Sequence, residues 1–240
     1  MNTLRGQTLV VIGGTSGIGL EVARQGRAEG ADVVIVARNA ARLEQVAREI
    51  DVKRSEAFDA NDPARLRAFF RSLPAPVGHV MVTAGTPHYA APLDTTREQA
   101  IQGITEHLVM AIEVARASVG RVQPSGSLTF MGGTGARRPR AGLGIVATAT
   151  VGFPTLIANL ALDIAPTRVN LIAAGFVDTP LSASILGKDL EKRRAELRAL
   201  LPIKRVVTAA DVAALAVHIM SNTALTGATF DIDGGQQLVS

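Results

Sequence analysis

A cluster of glycines directly after the first apolar run constrains the fold of this chain most. Residues 8–12 form a β-branched run, and an amphipathic pattern begins soon afterwards, near Ile18. This order predicts a strand, a tight turn and a helix, where a pyrophosphate can approach a backbone without side chains. The helix N-terminus adds unpaired N–H groups and the positive end of a dipole. An ordinary strand-to-helix turn is the alternative, although such turns rarely need so many glycines. The predicted phosphate-binding residues are Gly13, Thr15, Ser16, Gly17, Ile18 and Gly19.

Short apolar runs alternate with longer amphipathic stretches along the whole chain. Several of the short runs are apolar throughout, as expected of parallel strands covered on both faces. The alternation predicts an α/β fold: a single-domain, Rossmann-type, doubly wound parallel sheet of about seven strands with helices on both faces. The predicted strands are residues 8–12, 32–36, 56–58, 79–83, 127–131, 168–173 and 228–232. The predicted helices are residues 18–29, 40–50, 63–72, 95–117, about 143–164, and 209–220.

No internal repeat and no linker rich in Gly, Pro or Ser divides the 240 residues, so one domain is expected over residues 1–240. The charged stretch at about 180–200 is predicted to be a helical excursion over the ligand cleft. It is dense in Lys, Arg and Glu, which indicates exposure to solvent.

Composition excludes several classes of function. The chain has no cysteine, which excludes disulfides, thiolate metal sites and cysteine nucleophiles, and no metal site is predicted. We find no signal-like segment and no apolar run of about 20 residues, so a cytoplasmic protein without a membrane span is expected. The formal net charge is +4, but the basic residues are scattered among acids. Nucleic-acid binding needs basic residues clustered on one face, and it is therefore not expected.

The end of the second predicted strand indicates which nucleotide is bound. An NAD site places an Asp or Glu there, because a carboxylate accepts a hydrogen bond from the ribose 2′-hydroxyl. This chain has Arg38 followed by Asn39. A guanidinium pairs in bidentate fashion with a 2′-phosphate, which a carboxylate would repel. The sequence therefore predicts an NADP(H) site that includes Arg38 and Asn39.

Further short motifs follow the glycine turn in a fixed order. They are Asp-Ala at 59–60, Thr-Ala-Gly at 83–85, Arg-Val-Asn at 168–170, Ala-Gly-Phe-Val-Asp-Thr-Pro at 174–180 and Asp-Ile-Asp-Gly-Gly at 231–235. With these motifs the chain resembles the short-chain dehydrogenase/reductase family, in its compact single-domain form, over essentially its whole length. The resemblance implies that Asp59 and Ala60 contact the adenine, that Ala84 and Gly85 lie beside the ribose, and that Gly175, Val177 and Thr179 belong to the nicotinamide end.

The resemblance also implies a catalytic tetrad, and this chain departs from it. The family uses a tyrosine as general acid and a lysine four residues later that lowers the pKa of that tyrosine. The single tyrosine here is Tyr89, with Leu93 four residues on, and no lysine falls in the predicted helix at 143–164. The lysines are Lys53, Lys188, Lys192 and Lys204.

Matching the end of that helix to the family assigns the tetrad positions. Val146 takes the tyrosine position and Thr150 the lysine position, while a register shifted by one residue gives Ile145 and Ala149. Gly133 takes the position of the serine that holds the carbonyl, and His107 takes that of the asparagine. Thr83 replaces the asparagine of the family's Asn-Ala-Gly triplet.

Two interpretations of these replacements stay open. In the first, the chain is an NADP(H)-dependent oxidoreductase with an unconventional active site, in which Tyr89, beside His88, or His107 supplies a proton. Tyr89 packing in a loop and His107 serving as a structural substitute are the simpler alternatives. In the second, the chain binds NADP(H) without conventional turnover, as a sensor or scaffold, or performs non-redox chemistry. A purely structural subunit with a relic nucleotide site is a third, less favoured reading, because the glycines and Arg38 are retained.

The partners follow in part from the resemblance. Its members form dimers and tetramers through the long fourth and fifth helices and the last strand, which predicts a homodimer or homotetramer. The substrate is an unidentified small molecule. Arg137, Arg138 and Arg140 would suit an anionic substrate, and a solvated loop is the alternative for this cluster.

Overall fold

The computed structural model describes residues 3–74, 76–87, 89–138 and 140–239. The strands are β1 (Thr8–Ile12), β2 (Asp32–Ala37), β3 (Arg54–Ala57), β4 (Val77–Val82), β5 (Val122–Gly133), β6 (Arg168–Ala174), β7 (Val177–Asp178), β8 (Val207–Thr208) and β9 (Thr229–Ile232). Seven of them form one parallel sheet in the order β3-β2-β1-β4-β5-β6-β9. The chain therefore winds outward in both directions from the neighbouring strands β1 and β4, which confirms the predicted doubly wound sheet.

Helices cover both faces of this sheet. They are α1 (Gly17–Ala28), α2 (Ala40–Glu49), α3 (Pro63–Ser72), α4 (Arg97–Ile104), α5 (Met110–Ser118), α6 (Gly144–Asp163), α7 (Pro180–Leu186), α8 (Leu190–Leu200), α9 (Ala209–Ser221) and α10 (Gln236–Val239). The helix predicted at 95–117 is α4 and α5 joined by a π-helical turn, Thr105–Val109. Apolar periodicity does not reveal such a turn, because one extra residue leaves the same face buried.

Side chains that alternate along the strands build a core on each face. In β1, Val10 and Ile12 pack with the cluster that includes α3, α5 and α6. Leu9 and Val11 point the other way and pack with the cluster that includes α1, α2 and α9. Because successive side chains of a strand face opposite sides, a strand buried on both sides must be apolar throughout.

Of the predicted strands only β1 keeps its bounds, and β3 and β5 show two reasons for the differences. β3 covers Arg54–Ala57 rather than residues 56–58, because it is an edge strand that pairs only with β2. Its Arg54 and Glu56 form an ion pair with Nη2 and Oε2 2.8 Å apart, so charged side chains are tolerated there. β5 begins at Val122 rather than at residue 127, because Val122 pairs with Val77 before a register shift.

Residues 180–200 fold as α7 and α8, joined by a 3₁₀ turn at Gly187–Asp189. They lie between β7 and β8, which pair with each other in a separate two-stranded sheet. Arg194 of α8 donates to Asp178 of β7, with Nη2 and Oδ1 2.6 Å apart. The excursion is therefore fastened to the strand from which it departs.

Helix α6 is the most apolar of the long helices of the described chain. By length and composition alone it would be able to cross a membrane, which corrects the expectation that no apolar run of about 20 residues is present. Its buried residues Phe153, Ile157 and Leu160 pack into the core on one face of the sheet. Its outer face also carries apolar side chains: Val151 is 59% exposed and Leu162 is 78% exposed. Packing in the core accounts for the apolar residues on the inner face of this helix but not for those on its outer face.

Candidate functional site

A cleft of about 300 Å³ opens at the carboxyl ends of β1, β2, β3 and β4. It lies where strand order reverses between β1 and β4, the position at which open α/β sheets bind ligands. The predicted nucleotide residues that line it are Gly13, Thr15, Ser16, Arg38, Asn39, Asp59, Ala60, Ala84 and Gly85. These residues come from four separate βα connections, and the fold brings them together.

Thr83 ties the glycine turn to the end of β4. Its hydroxyl lies 3.2 Å from the carbonyl oxygens of both Ile12 and Gly13 and donates to them. Gly13 has φ of +96°, and a Cβ there would lie 2.6 Å from Thr83 Oγ1. A Cβ on Gly19 would meet the same hydroxyl and the Gly13 carbonyl oxygen. Packing within the turn therefore requires glycine at both positions.

The N-terminus of α1 faces the cleft without a side-chain cap. Ser16 is its N-cap residue, but the Ser16 hydroxyl caps no backbone N–H, and the first turn contains no acid. By contrast, Asn39 caps α2 and Asp62 caps α3. Unpaired N–H groups and the positive dipole end make such a helix start a good site for a phosphate. The glycine turn and α1 therefore fit a pyrophosphate.

Arg38 extends from the end of β2 on the edge of the cleft. Its side chain is exposed, and within the described ranges no residue forms a hydrogen bond or ion pair with it. Asn39 beside it accepts a hydrogen bond from Arg42 N, with Oδ1 and N 2.9 Å apart, and so starts α2. Arg38 is left free for an anionic group of a ligand, whereas Asn39 is used by the helix.

The segment after β3 forms the wall of the cleft on the β3 side. Asp59 Oδ1 accepts from Asn61 N at 2.9 Å and from Asn61 Nδ2 at 3.2 Å. Asn61 Oδ1 is buried and lacks a hydrogen-bond partner among the residues that the structure describes. Phe58 and Ala60 are buried beside them. This wall combines apolar surface with polar edges, as an adenine site requires.

The residues predicted at the nicotinamide end do not line this cleft. A Cβ on Gly175 would lie 2.6 Å from Asp233 Cβ, so this glycine makes room for the C-terminal segment. Val177 is buried in the core. Thr179 lies against the glycine turn, since a Cβ on Gly17 would be 3.5 Å from Thr179 Cβ.

Three of the positions matched to the tetrad, Gly133, Val146 and Thr150, lie near one another. A Cβ on Gly133 would lie 3.9 Å from Thr150 Cγ2, so the end of β5 faces α6 here. The Thr150 hydroxyl donates to the Val146 carbonyl oxygen at 2.7 Å, which uses its proton within the helix. Val146 itself is aliphatic. Described groups at this point of the fold therefore do not form a tyrosine-like acid.

His107 belongs to the π-helical turn. Its Nδ1 lies 3.0 Å from the Gly103 carbonyl oxygen. A carbonyl only accepts, so Nδ1–H is the donor in this contact. Two further residues of this helix, Glu106 and Met110, line the cleft. No motif pointed to them, because their approach depends on the π turn and on Gly85, at which a Cβ would lie 2.9 Å from the Glu106 carbonyl oxygen.

Tyr89 lies in the connection between β4 and α4. It is 53% exposed, and no described group forms a hydrogen bond with its phenol. The chain next to it packs on the start of α6, since a Cβ on Gly144 would lie 2.7 Å from the Ala90 carbonyl oxygen. His88, the other candidate in this connection, lies outside the described residues.

Two arginines of the cluster after β5, Arg137 and Arg138, form contacts with other parts of the chain. Arg137 forms a bidentate ion pair with Asp231, with Nη2 and Oδ1 2.6 Å apart. The hydrogen bond to Asp231 raises the pKa of Arg137. Arg138 donates to the Gln237 carbonyl oxygen at 2.7 Å. Arg137 and Arg138 thus contact the C-terminal segment, and an anion site formed with Arg140 stays a prediction.

Comparison with known proteins assigns the family. A family model described as enoyl-(acyl carrier protein) reductase matches residues 12–237. The chain belongs to the short-chain dehydrogenase/reductase family. Members of this family are oxidoreductases that bind nicotinamide cofactors, and the glycine turn, the uncapped start of α1 and the cleft fit such a nucleotide.

Relatives within the short-chain dehydrogenase/reductase family match along nearly their whole length. The chain is 28% identical to the short-chain dehydrogenase/reductase ATR9 of Stachybotrys chlorohalonatus, covering 98% of each protein. It is 29% identical to an NADP-dependent (R)-specific alcohol dehydrogenase of Lentilactobacillus kefiri, covering 97% of each. Among solved structures, the MalC reductase/Diels-Alderase of Malbranchea aurantiaca superimposes with a TM-score of 0.92 at 26% identity, covering 99% of this chain and 98% of that one.

Proposed function

We propose that this chain is an NADP(H)-dependent oxidoreductase with an unconventional active site, which transfers hydride to or from a small molecule. The observation that carries the proposal is Arg38: an exposed guanidinium at the end of β2, on the edge of the cleft and without a described partner. A 2′-phosphate is the cofactor group that would pair with it. That one relative is NADP-dependent by name supports the same choice.

The replaced tetrad narrows the substrate class that we propose. Without a positioned acid, reduction of an ordinary ketone slows by roughly 10²–10⁴-fold. A conjugated or iminium acceptor is already activated, so hydride transfer to it needs no strong acid at Val146 or Thr150. Val146 and Gly133, together with a Thr150 hydroxyl bonded within its helix, would suit such a substrate better than a simple carbonyl compound.

A second candidate function is binding of NADP(H) without turnover, as a sensor or scaffold, or in non-redox chemistry. The observation that favours it is the asymmetry of the site. The nucleotide half of the site has the glycine turn and Arg38, which is free of described partners. In the half matched to the catalytic positions, the Thr150 hydroxyl donates to the Val146 carbonyl oxygen. Under this alternative the cofactor would bind tightly and remain unchanged.

The decisive experiment combines binding with turnover. Calorimetry with NADPH comes first, and the loss of NADPH absorbance is then followed over a panel of ketones, enones and iminium compounds. We expect binding, and faster turnover of enones or iminium compounds than of ketones. Tyr89→Phe and His107→Ala would then locate any proton donor. Tight binding with no turnover anywhere would favour the sensor or scaffold, and absence of NADPH binding would indicate a relic site.

We also propose that the chain forms a homodimer or homotetramer through α6. The outer face of this helix, with Val151 and Leu162 exposed, supports a contact with a second copy. Light scattering at micromolar concentration should give a multiple of the 25.0 kDa chain mass, and Leu162→Arg should shift the mass towards one chain. A wild-type mass of one chain would overturn this proposal.

A further inference from the structure

Glu106 is an acid on the wall of the cleft that no sequence motif singles out. It belongs to the π turn between α4 and α5 and lines the cleft beside Ala84, Gly85 and Thr86. A π turn within a helix often marks a functional position, because it presents a side chain that a regular helix would place elsewhere. The position of this carboxylate calls for an explanation in terms of the ligand.

The contacts of Glu106 hold its carboxylate in place without saturating it. Oε2 accepts a hydrogen bond from Thr86 N at 3.0 Å, and Oε1 accepts one from Gln102 Nε2 at 2.7 Å. An ionised carboxylate has about four lone-pair sites, so two acceptor positions remain. The Thr86 bond also connects the π turn to the segment that follows β4. Glu106 is therefore both a fixed acceptor and a support for that segment.

The cleft corresponds to one half of the proposed dinucleotide. Its lining residues come from the ends of β1 to β4, together with Glu106, Met110 and Leu181. Gly133, Val146 and Thr150, which are matched to the catalytic positions, are not among them. If the cofactor is NADP(H), as proposed above, this cleft holds the adenosine half, and Glu106 meets that half on the β4 side.

The chemistry of the adenosine half leaves few partners for a carboxylate. Its 2′-oxygen carries a phosphate and its 5′-oxygen carries the pyrophosphate, both of which a carboxylate repels. The 3′-hydroxyl is the free donor of this ribose, and a hydroxyl donates well to a carboxylate. Arg38 is on the β2 side, so the two charged side chains would take opposite sides of one ribose.

We propose that Glu106 is a nucleotide-binding residue that accepts a hydrogen bond from the adenosine 3′-hydroxyl of NADP(H). By holding Thr86 N, it also positions the segment after β4 against the nucleotide. This inference rests on the proposed function, because it assumes the same cofactor. It adds a residue that contacts the ribose from the β4 side of the cleft, opposite Arg38.

The test compares two adenosine-half probes by calorimetry: 2′,5′-ADP and its 3′-deoxy analogue. We expect the wild-type chain to bind 2′,5′-ADP about tenfold more tightly, as one charge-assisted hydrogen bond allows. In Glu106→Ala the two probes should bind with about equal affinity, because the carboxylate acceptor is gone. Glu106→Gln keeps an acceptor for Thr86 N and for the hydroxyl, so it should keep a preference between those of the wild type and Glu106→Ala. Glu98→Gln removes an exposed acid of the same helix outside the cleft and should retain the full preference.

The probe comparison separates ligand contact from folding. A purely structural role would weaken both probes equally and leave their ratio unchanged. Equal binding of the two probes by the wild-type chain, or a tenfold preference that survives in Glu106→Ala, overturns the inference. If the wild-type chain binds neither 2′,5′-ADP nor NADPH, the proposed function fails, and this inference fails with it.

Discussion

Arg38→Asp should reverse the cofactor preference, lowering the NADPH/NADH affinity ratio by at least about a hundredfold. Charge-assisted hydrogen bonds to a phosphate contribute roughly 1.5–3 kcal/mol, or about tenfold to a hundredfold in affinity. The new carboxylate would repel the 2′-phosphate and would accept a hydrogen bond from the 2′-hydroxyl of NADH. Both changes act on the ratio in the same direction. Because Arg38 is exposed and no described group pairs with it, its loss should not disturb the fold.

Calorimetry with NADPH and NADH on the same preparations measures this ratio. Arg48→Asp is the matched control, since it makes the same charge change on an exposed position of α2 away from the cleft. Arg48→Asp should leave the NADPH/NADH affinity ratio near the wild-type value. In the wild-type chain, added salt should weaken NADPH binding more than NADH binding. A ratio that Arg38→Asp leaves unchanged would exclude Arg38 from the 2′-phosphate site.

Acidification should destabilise the fold through His79. This histidine is 1% exposed in β4, with Nδ1 2.9 Å from Ser127 Oγ and Nε2 2.9 Å from Gln7 Oε1. Burial, and in second place the charge of Arg168, lowers the pKa of His79 to about 4, from 6.5. Above pH 6.5 the ring is neutral in both the folded and the unfolded chain, and its contribution to stability is fully present. Between pH 6.5 and 4 only the unfolded chain takes up a proton, so the free energy of unfolding falls by about 1.4 kcal/mol per pH unit.

Urea unfolding at pH 7 and at pH 5 tests this expectation. The wild-type chain should lose roughly 2 kcal/mol from this group over that interval. His79→Gln has no titrating ring, so its stability should depend on pH less steeply by that amount, even if it is less stable overall. His218→Gln changes an exposed histidine and should keep the wild-type slope. Parallel pH curves for the wild type and His79→Gln would contradict a depressed pKa in the folded state.

Much of the fold follows from the sequence because parallel strands carry a strong local signal. The run at residues 8–12 is β1 without any change of bounds, since buried strands are apolar on both faces. The edge strand β3 is displaced from its prediction, because the charged Arg54 at its start obscures its pattern. β7 and β8 are not predicted, since a two-residue strand has no period and depends on tertiary pairing.

Site residues could be predicted from the sequence only where a recognisable motif directly follows a predicted strand. The glycine turn and Arg38 sit at the ends of strands, so strand order alone brings them to one cleft. Glu106 reaches the same cleft through a π turn and a close approach to Gly85, and neither leaves a periodic trace. The pairing of Arg137 with Asp231 joins residues far apart in the chain, so composition alone predicted a free charge there.

The shared hydroxyl of Thr83 has a consequence for engineering. The Thr83 hydroxyl, directly after β4, is shared between the carbonyl oxygens of Ile12 and Gly13, and its oxygen fills the space beside Gly13 and Gly19. The nucleotide loop is therefore not a portable module. A glycine loop grafted here from another protein would need a β4 residue of matching size and donor geometry, and transplanting this loop elsewhere would require carrying Thr83 along with it.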